Sequence, residues 1–232
     1  MVGYEKRVCM ALKIVVWDFD GVVFDSMHLK GEGFKVLFQR HTKADERALK
    51  AFEDYHYANG GVSRFDKIAH FYTKILKKSI EADTINALVE EFGQIIAKDL
   101  FSREHLNAEV LDFIKANHKK YIFHIASAAL HSELQVLCEF LGLLPYFKSI
   151  KGAPPAKAKI LANMCANYGY APSEMVLIGD SRSDHESAQA NKIPFLGYNN
   201  PVLQNLLPKA YINHFARLDL DALTRQACLD QF

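Results

Sequence analysis

Short apolar runs alternate with helical stripes in the first and last parts of the chain. The first run, residues 13–19, is rich in β-branched side chains, which is typical of a strand buried on both faces of a parallel sheet. Later runs of the same kind cover residues 121–126, 175–178, 193–196 and 210–212. Apolar helical stripes lie between them. This alternation predicts an α/β core: a doubly wound, Rossmann-like parallel sheet.

Residues 27–105 show a different pattern, because only helical periodicity occurs there. Apolar residues recur three and four positions apart in four stretches, around Phe34, Phe52, Ile68 and Phe92. Such a pattern is typical of a helical bundle inserted after the first strand. We therefore expect two parts: a core made of residues 1–26 and 106–232, and an α-helical cap domain made of residues 27–105.

The composition places the chain among globular proteins. Its 232 residues are enough for one large domain with an insertion, and 50% of them are hydrophobic. The 28 basic residues nearly balance the 27 acidic ones, which leaves a net charge of +1. That balance argues against a broad charged surface for nucleic acid or a membrane. We therefore expect a small charged ligand, bound by a local cluster of charged residues. No feature of the sequence indicates the oligomeric state.

The cysteines and the N-terminal segment bear on location. The four cysteines show no CxxC or metal-finger spacing, and we interpret them as separate thiols in a reducing compartment. The apolar segment 8–17 contains Lys13 and is followed by no small-residue cleavage site. We interpret it as part of the first core strand, and no apolar run reaches membrane-spanning length. These features predict a cytoplasmic protein.

Two pairs of carboxylates follow predicted strands. Asp18 and Asp20 end the first strand in IVVWDFDGVVFDS, and Asp180 and Asp184 follow another in MVLIGDSRSD. Residues two apart on a strand point the same way, toward the crevice where parallel sheets bind ligands. Either pair alone is also compatible with a turn or a helix N-cap. Carboxylates that converge in this way need a metal ion or a shared proton to offset their repulsion. Oxygen ligands without nearby His or Cys favour Mg²⁺ as that metal.

Ser127 and a lysine complete a candidate phosphoryl site. Ser127 follows the run 121–126 and precedes a helix, so its hydroxyl and nearby backbone N–H groups could face an anion. Lys157 and Lys159 lie at the start of a later helix, where a positive charge opposes the helix dipole. A cation site beside a lysine and oriented donors favours phosphoryl transfer.

These motifs together resemble a known family. DFDGVVFDS, Ser127, Lys157 and GDSRSD are similar, in order, to the four motifs of the haloacid dehalogenase-like superfamily of phosphohydrolases. The inserted helices resemble the subgroup with a cap after the first motif, which includes phosphoglycolate-phosphatase-like enzymes and β-phosphoglucomutases. The resemblance implies a Mg²⁺-dependent phosphatase that acts on a small phosphorylated metabolite.

The resemblance also implies roles for the residues. Asp18 would be the nucleophile that forms an aspartyl phosphate, and Asp20 the general acid and base. Ser127 and Lys157 would bind the phosphoryl group. Mg²⁺ would be held by the Asp18 and Asp180 side chains and the Asp20 backbone carbonyl, with Asp184 as a ligand or an anchor behind them.

Several alternatives stay open. The GxPxxK spacing from Gly152 favours Lys157 over Lys159 as the phosphate-binding lysine. Dehalogenating relatives lack an acid two residues after the nucleophile, so Asp20 favours phosphorus as the target. A β-phosphoglucomutase-like mutase would share every core residue. A receiver-like domain also uses Asp, Mg²⁺ and Lys, but without enzymatic turnover and without a long cap.

Specificity is expected to come from the cap, near the tip that contains Gly60 and Gly61. The following helix carries Arg64 and Lys67, whose charges could bind an anionic leaving group. We therefore include both among the candidate substrate-binding residues. The alternative is that both are solvated helix charges, that His56 is a surface residue and that the two glycines form a plain connection.

Overall fold

The computed structural model describes residues 11–231, and it confirms the expected α/β fold class. The strands in this range are β1 Ile14–Trp17, β2 Ile122–Leu130, β3 Ser149–Ala153, β4 Met175–Gly179, β5 Phe195–Tyr198 and β6 Tyr211–Ile212. They form one parallel sheet in the order β3-β2-β1-β4-β5-β6. The strand order reverses between β1 and β4, where open α/β sheets bind their ligands.

Helices cover both faces of the sheet and form the inserted cap. The first four are α1 Met27–His41, α2 Glu46–Ala58, α3 Arg64–His70 and α4 Ala82–Leu100. A π-helical turn, Phe71–Ile75, extends α3. The others are α5 Ala108–Asn117, α6 His131–Phe140, α7 Lys157–Tyr168, α8 Arg182–Ala190, α9 Pro201–Leu206 and α10 Leu220–Gln231.

β1 is buried on both faces, which explains its continuous apolar run. Val15 and Trp17 face one core cluster, whereas Ile14 and Val16 face the other. The Trp17 ring lies 5.6 Å from the Phe123 ring in an edge contact. Because β1 lies between β2 and β4, this packing sets the position of the residues that follow it.

Stacked phenylalanines form the centre of the cap. Phe38 of α1 stacks on Phe71 with ring centroids 3.7 Å apart, and Phe34 stacks on Phe92 of α4 at 4.1 Å. Phe52 of α2 meets the Phe38 ring edge-on at 4.7 Å. Buried aromatic contacts of this kind hold the cap helices together. The domain boundaries at 26 and 105 stay predictions.

The strands differ from the sequence expectation in three ways. β3 was not expected, because its burial is incomplete at the sheet edge and the segment SIKGA has no apolar run. β2 continues through Ser127, with an irregular register between Ala126 and Leu130. β1 ends at Trp17, so Asp18 and Asp20 follow the strand instead of belonging to it.

The cysteines also differ from the expectation. Cys138 and Cys165 are free thiols, whereas Cys228 is disulfide-bonded. The interpretation as separate thiols is therefore wrong for Cys228, because spacing along a chain does not tell which cysteines a fold brings together. Cys9 and the start of the segment 8–17 lie outside the described residues. Between residues 11 and 231, no helix has both the length and the apolar character needed to cross a membrane. The cytoplasmic location stays a prediction.

Candidate active site

Three carboxylates meet where the strand order reverses. Side-chain oxygens of Asp18, Asp180 and Asp184 all lie within 4.8 Å of one another. Asp18 follows β1 directly, and Asp180 follows β4, whose Ile178 pairs with Trp17. The parallel register therefore brings the two acidic segments to the same edge of the sheet, although they are far apart in the sequence.

Negative charge exceeds positive charge in this cluster. Lys157 Nζ lies 2.7 Å from Asp18 Oδ1 and also pairs with the Asp184 carboxylate. Burial, with repulsion from Asp184, raises the pKa of Asp18 well above its usual range. Burial and the same repulsion raise the pKa of Asp180 to about 8. One lysine does not offset three ionised carboxylates, so the cluster either retains protons or binds a further cation.

The chemistry of the cluster fits a divalent cation. Asp180 Oδ1 is buried and has no hydrogen-bond partner among the described residues. Such an oxygen destabilises a folded protein unless a cation or a donor reaches it. The grouped ligands are all carboxylate oxygens, which hard divalent cations prefer. The residues present therefore fit the divalent metal that the resemblance of the motifs implies.

Asp184 also takes part in a helix cap, whose N-cap residue is Ser181. Its Oδ2 accepts hydrogen bonds from Ser181 N at 3.1 Å and Ser181 Oγ at 2.7 Å, while Ser181 Oγ accepts from Asp184 N at 3.2 Å. This capping box begins α8. Its Oδ1 pairs with Lys157. The Asp184 carboxylate thus both caps a helix and belongs to the acidic cluster.

Asp20 lies apart from this cluster, so the expected convergence of four carboxylates holds for three of them. Its Oδ1 accepts hydrogen bonds from Lys30 Nζ at 2.5 Å and from Ser26 Oγ. Burial would raise the pKa of Asp20, but Lys30 and Ser26 outweigh it and hold the pKa below its ordinary value. The two-residue spacing on a strand does not explain its position, because β1 has ended and Gly21 turns the chain with φ +81°.

Of the remaining predicted core residues, Ser127 lies on β2 and Lys157 begins α7 after β3. Ser127 is fully buried, and its Oγ accepts a hydrogen bond from Ala129 N at 3.0 Å. Lys157 is 5% exposed and reaches the carboxylates, whereas Lys159 lies on the exposed side of α7. Of the two lysines considered, Lys157 is the one that the structure places at the site.

The cap tip rests on the acidic segment after β4. A Cβ atom on Gly61 would lie 2.6 Å from Ser181 Oγ and 2.8 Å from Asp184 Oδ1. A Cβ on Gly60 would lie 3.5 Å from both carboxylate oxygens of Asp180. The glycines are thus more than a plain connection: Gly61 leaves room for the cap tip to approach the carboxylates closely.

Both cap cations are buried, so their interpretation as solvated charges is wrong. Arg64 is 5% exposed because α3 packs toward the core, where both its terminal nitrogens bind the Glu133 carboxylate of α6. Its guanidinium lies 4.9 Å from the centre of the Phe92 ring. Lys67 is 3% exposed, and its Nζ donates to His56 Nδ1 at 3.0 Å.

Three residues near the site, Lys30, His56 and Glu133, are not among the candidates from the sequence. For the first two, the sequence pattern does indicate burial. Lys30 lies on the same helical face as Phe34 and Phe38, and His56 follows Phe52 by four positions. A polar residue within an apolar stripe indicates a buried partner. His56 is fully buried, which contradicts its interpretation as a surface residue, and its Nε2 donates to Met27 O at 2.9 Å. Glu133 carries no such signal, because its partner is 69 positions away.

The family follows from a sequence comparison. Residues 12–191 match the family model described as haloacid dehalogenase-like hydrolase. The chain belongs to this family. The predicted superfamily and the prediction of a hydrolytic enzyme are therefore confirmed. No curated protein sequence matches the chain significantly.

Solved structures share the fold of this haloacid dehalogenase-like hydrolase. β-Phosphoglucomutase from Clostridium difficile has 13% sequence identity and a TM-score of 0.76, over 93% of this chain and 97% of its own. A predicted phosphoglycolate phosphatase from Haemophilus somnus 129pt has 17% identity and a TM-score of 0.69, over 88% and 95%. A CbbY mutant from Rhodobacter sphaeroides, in complex with xylulose-(1,5)bisphosphate, has 15% identity and a TM-score of 0.72, over 90% and 96%. At these identities the likeness establishes the fold alone.

The Arg64–Glu133 pair should couple the cap to the core in stability measurements. Arg64→Met or Glu133→Gln leaves one buried charge unpaired, so we expect each to lower the free energy of unfolding by about 3 kcal/mol. The double variant should lose much less than the sum of the single losses. Urea denaturation provides the measurement. Lys50→Met, which breaks an exposed pair with Glu53, is the control and should change stability by about 0.5 kcal/mol or less. Additive losses would contradict the coupling.

Proposed function

We propose that the protein is a Mg²⁺-dependent phosphatase that hydrolyses a phosphomonoester of a small metabolite through an aspartyl phosphate. The observation that supports this most directly is the separation of two carboxylates. Asp18 lies with Lys157 in the charged cluster, whereas Asp20 lines the cavity beneath the cap. Two-step phosphoryl transfer needs a nucleophile at the charged centre and a proton carrier on the leaving-group side.

In the first step, a carboxylate oxygen of Asp18 attacks phosphorus and the ester P–O bond breaks. Asp20, protonated, gives its proton to the departing oxygen, which leaves as an alcohol. The negative phosphoryl group beside Asp20 favours that protonated form. Lys157 Nζ and the Ser127 hydroxyl are the donors that would hold the phosphoryl oxygens.

In the second step, water attacks the phosphorus of the aspartyl phosphate. Asp20 accepts the proton from water, the bond between phosphorus and the Asp18 oxygen breaks, and inorganic phosphate is released. The hydrogen bonds from Lys30 and Ser26 keep Asp20 ionised, which is the state that this step requires.

The metal is assigned to the acidic cluster. Asp18, Asp180 and Asp184 would hold Mg²⁺ together with the backbone carbonyl of Asp20. A bound Mg²⁺ supplies positive charge that offsets the charge of the carboxylates and of the phosphoryl group. Lys157 already pairs with two of the carboxylates and supplies part of the same compensation from the protein itself.

The leaving group is expected to carry an anionic group, because one buried cation of the cap cavity lacks an anionic partner. Lys30 pairs with Asp20, and Arg64 pairs with Glu133. Lys67 pairs with no acidic side chain of residues 11–231, and burial with repulsion from Lys30 lowers its pKa to about 7. A carboxylate or phosphate on the substrate would supply the missing charge, with Arg64 as a second donor.

The cap must move for such a substrate to enter. The cavity that Asp20, Lys30, His56 and Lys67 line has a free volume of about 30 Å³, which holds water but no organic group. Closure after substrate binding would exclude bulk water from the first step. The bisphosphorylated sugar bound to the CbbY relative is a ligand with a second anionic group of this kind.

Loss of Asp18 should abolish phosphate release. We expect the wild type with Mg²⁺ to release inorganic phosphate from members of a panel of sugar phosphates, phosphoglycolate, nucleotides and small phospho-acids. Asp18→Asn should release none, and Asp20→Asn should be slower by about 10² to 10⁴, since the proton transfer is lost. Unchanged turnover in Asp20→Asn would contradict the mechanism. If the protein instead isomerises a sugar phosphate and needs a catalytic bisphosphate to do so, it is a mutase. If acetyl phosphate phosphorylates it stably and no phosphate is released with turnover, it is a receiver-like domain.

Removal of one clustered carboxylate should separate folding from metal binding. In EDTA, we expect Asp180→Asn to unfold at the same temperature as the wild type or higher, because it removes a repelling, unpartnered carboxylate. Mg²⁺ at about 100 times its Kd should stabilise the wild type by about 2.7 kcal/mol and the variant hardly at all. Thermal denaturation measures both effects. Asp112→Asn, at an exposed position of α5, should keep the full Mg²⁺ effect. A full effect in Asp180→Asn would count against this site.

Lys67→Met should impair only substrates with an anionic leaving group. For these we expect KM to rise about tenfold or more, while a neutral aryl phosphate is little affected. Since Lys67 loses its proton as the pH rises through about 7, the wild-type kcat/KM for anionic substrates should fall above that pH. The variant should lack this fall. Steady-state kinetics across pH measure these effects, with Lys74→Met at an exposed position as the control. If Lys67→Met impairs both substrate types equally, Lys67 does not bind an anionic leaving group.

A further inference from the structure

Two adjacent asparagines after β5 bind both of the acid-bearing loops. Asn199 Nδ2 donates to the backbone oxygen of Gly21 at 3.0 Å, in the loop after β1. Asn200 Nδ2 donates to the backbone oxygen of Asp180 at 2.7 Å, in the loop after β4. A third loop, with no charged residue of its own at this point, is thus attached to the two loops that carry Asp18 and Asp180.

The Asn200 amide has a defined orientation. Its Oδ1 accepts a hydrogen bond from Val202 N at 2.9 Å and caps α9. Because the oxygen is used there, the NH₂ group is the end that faces Asp180. The backbone N–H of Asn200 donates to the Tyr211 hydroxyl at 2.8 Å, which ties the residue to β6.

The backbone conformation of Asn199 suits an asparagine. Its φ of 52° lies in the left-handed region, which asparagine adopts more readily than most residues. Gly21, which it contacts, has φ +81°, and a Cβ there would overlap the Asp180 carboxylate. The loops after β1 and β4 therefore touch directly, and small shifts between them would change the distance between Asp18 and Asp180.

We propose that Asn199 and Asn200 are positioning residues of the cation site, which hold the loops after β1 and β4 at the spacing that Mg²⁺ binding requires. The two loops carry like charges that repel each other, and the two amide groups oppose that separation from a neutral third loop. Groups behind the metal ligands commonly change metal affinity about 10- to 100-fold. The inference rests on the proposed Mg²⁺ site.

Two variants remove the bridging amides while keeping the local structure. Asn200→Ser retains a good helix cap for α9 but is too short to reach Asp180 O. Asn199→Gly retains the left-handed backbone and loses only the amide. The control is Gln204→Ala, which breaks a 2.9 Å hydrogen bond between Gln204 and Asn213 in the same region without contact to either acid-bearing loop. Calorimetric titration with Mg²⁺ on the purified full chain gives the affinity, and thermal denaturation in EDTA gives the stability.

We expect each asparagine variant to bind Mg²⁺ about tenfold more weakly than the wild type. Its unfolding temperature in EDTA should lie at most a few degrees below that of Gln204→Ala, because each loses one hydrogen bond. Gln204→Ala should keep the wild-type affinity. If one variant does not fold, the other carries the test. Wild-type affinity in Asn199→Gly and Asn200→Ser would overturn the inference and leave the proposed function intact. Absence of Mg²⁺ binding by the wild type itself would overturn both the proposed metal site and the inference.

Discussion

Like-charge repulsion between carboxylates at the ends of β1 and β4 is the constraint on which the site depends. Asp18, Asp180 and Asp184 have side-chain oxygens within 4.8 Å of one another, in buried surroundings that penalise charge. The fold opposes this repulsion with Lys157, which pairs with two of them, and with the Ser181 cap on the third. Burial of repelling carboxylates destabilises the fold, and a cluster of carboxylate oxygens fits a divalent cation.

The cap meets the core through charge as well as apolar packing. Lys30 of α1 binds Asp20, and Arg64 of α3 binds Glu133 of α6. Both pairs are largely buried, so separating cap from core would expose or unpair charges that are matched in the closed arrangement. The same contacts that hold the cap closed thus lie beside the group that would carry the proton. Lys67 has a neutral partner, His56, and pairs with no acidic side chain among the described residues.

The sequence was sufficient for the fold class and for the meeting of Asp18, Asp180 and Asp184. Continuous apolar runs that end in carboxylates identify strand ends, and parallel sheets bring such ends to one edge. The sequence did not predict β3, because this short strand at the sheet edge has no apolar run. Glu133 was also out of reach, because nothing near it in the chain indicates a partner in the cap. Arg64 and Lys67 were identified as candidates, but their burial depends on how α3 packs against the core, which helical periodicity does not encode.

The layout of the site follows the strand order. In the spatial order of the sheet, Lys157 follows β3, Ser127 lies on β2, the Asp18 and Asp180 segments follow β1 and β4, and the two asparagines follow β5. Lys157 thus reaches the carboxylates from one side, on which the Ser127 hydroxyl also lies, and neutral amide donors approach from the other. An amide can hold an acidic loop by its backbone oxygen without adding charge to the cluster, whereas a second lysine there would compete with a metal for the carboxylates. Lys157 already pairs with Asp18 and Asp184, so neutral donors on the β5 side hold the Asp180 segment without a second cation in the cluster.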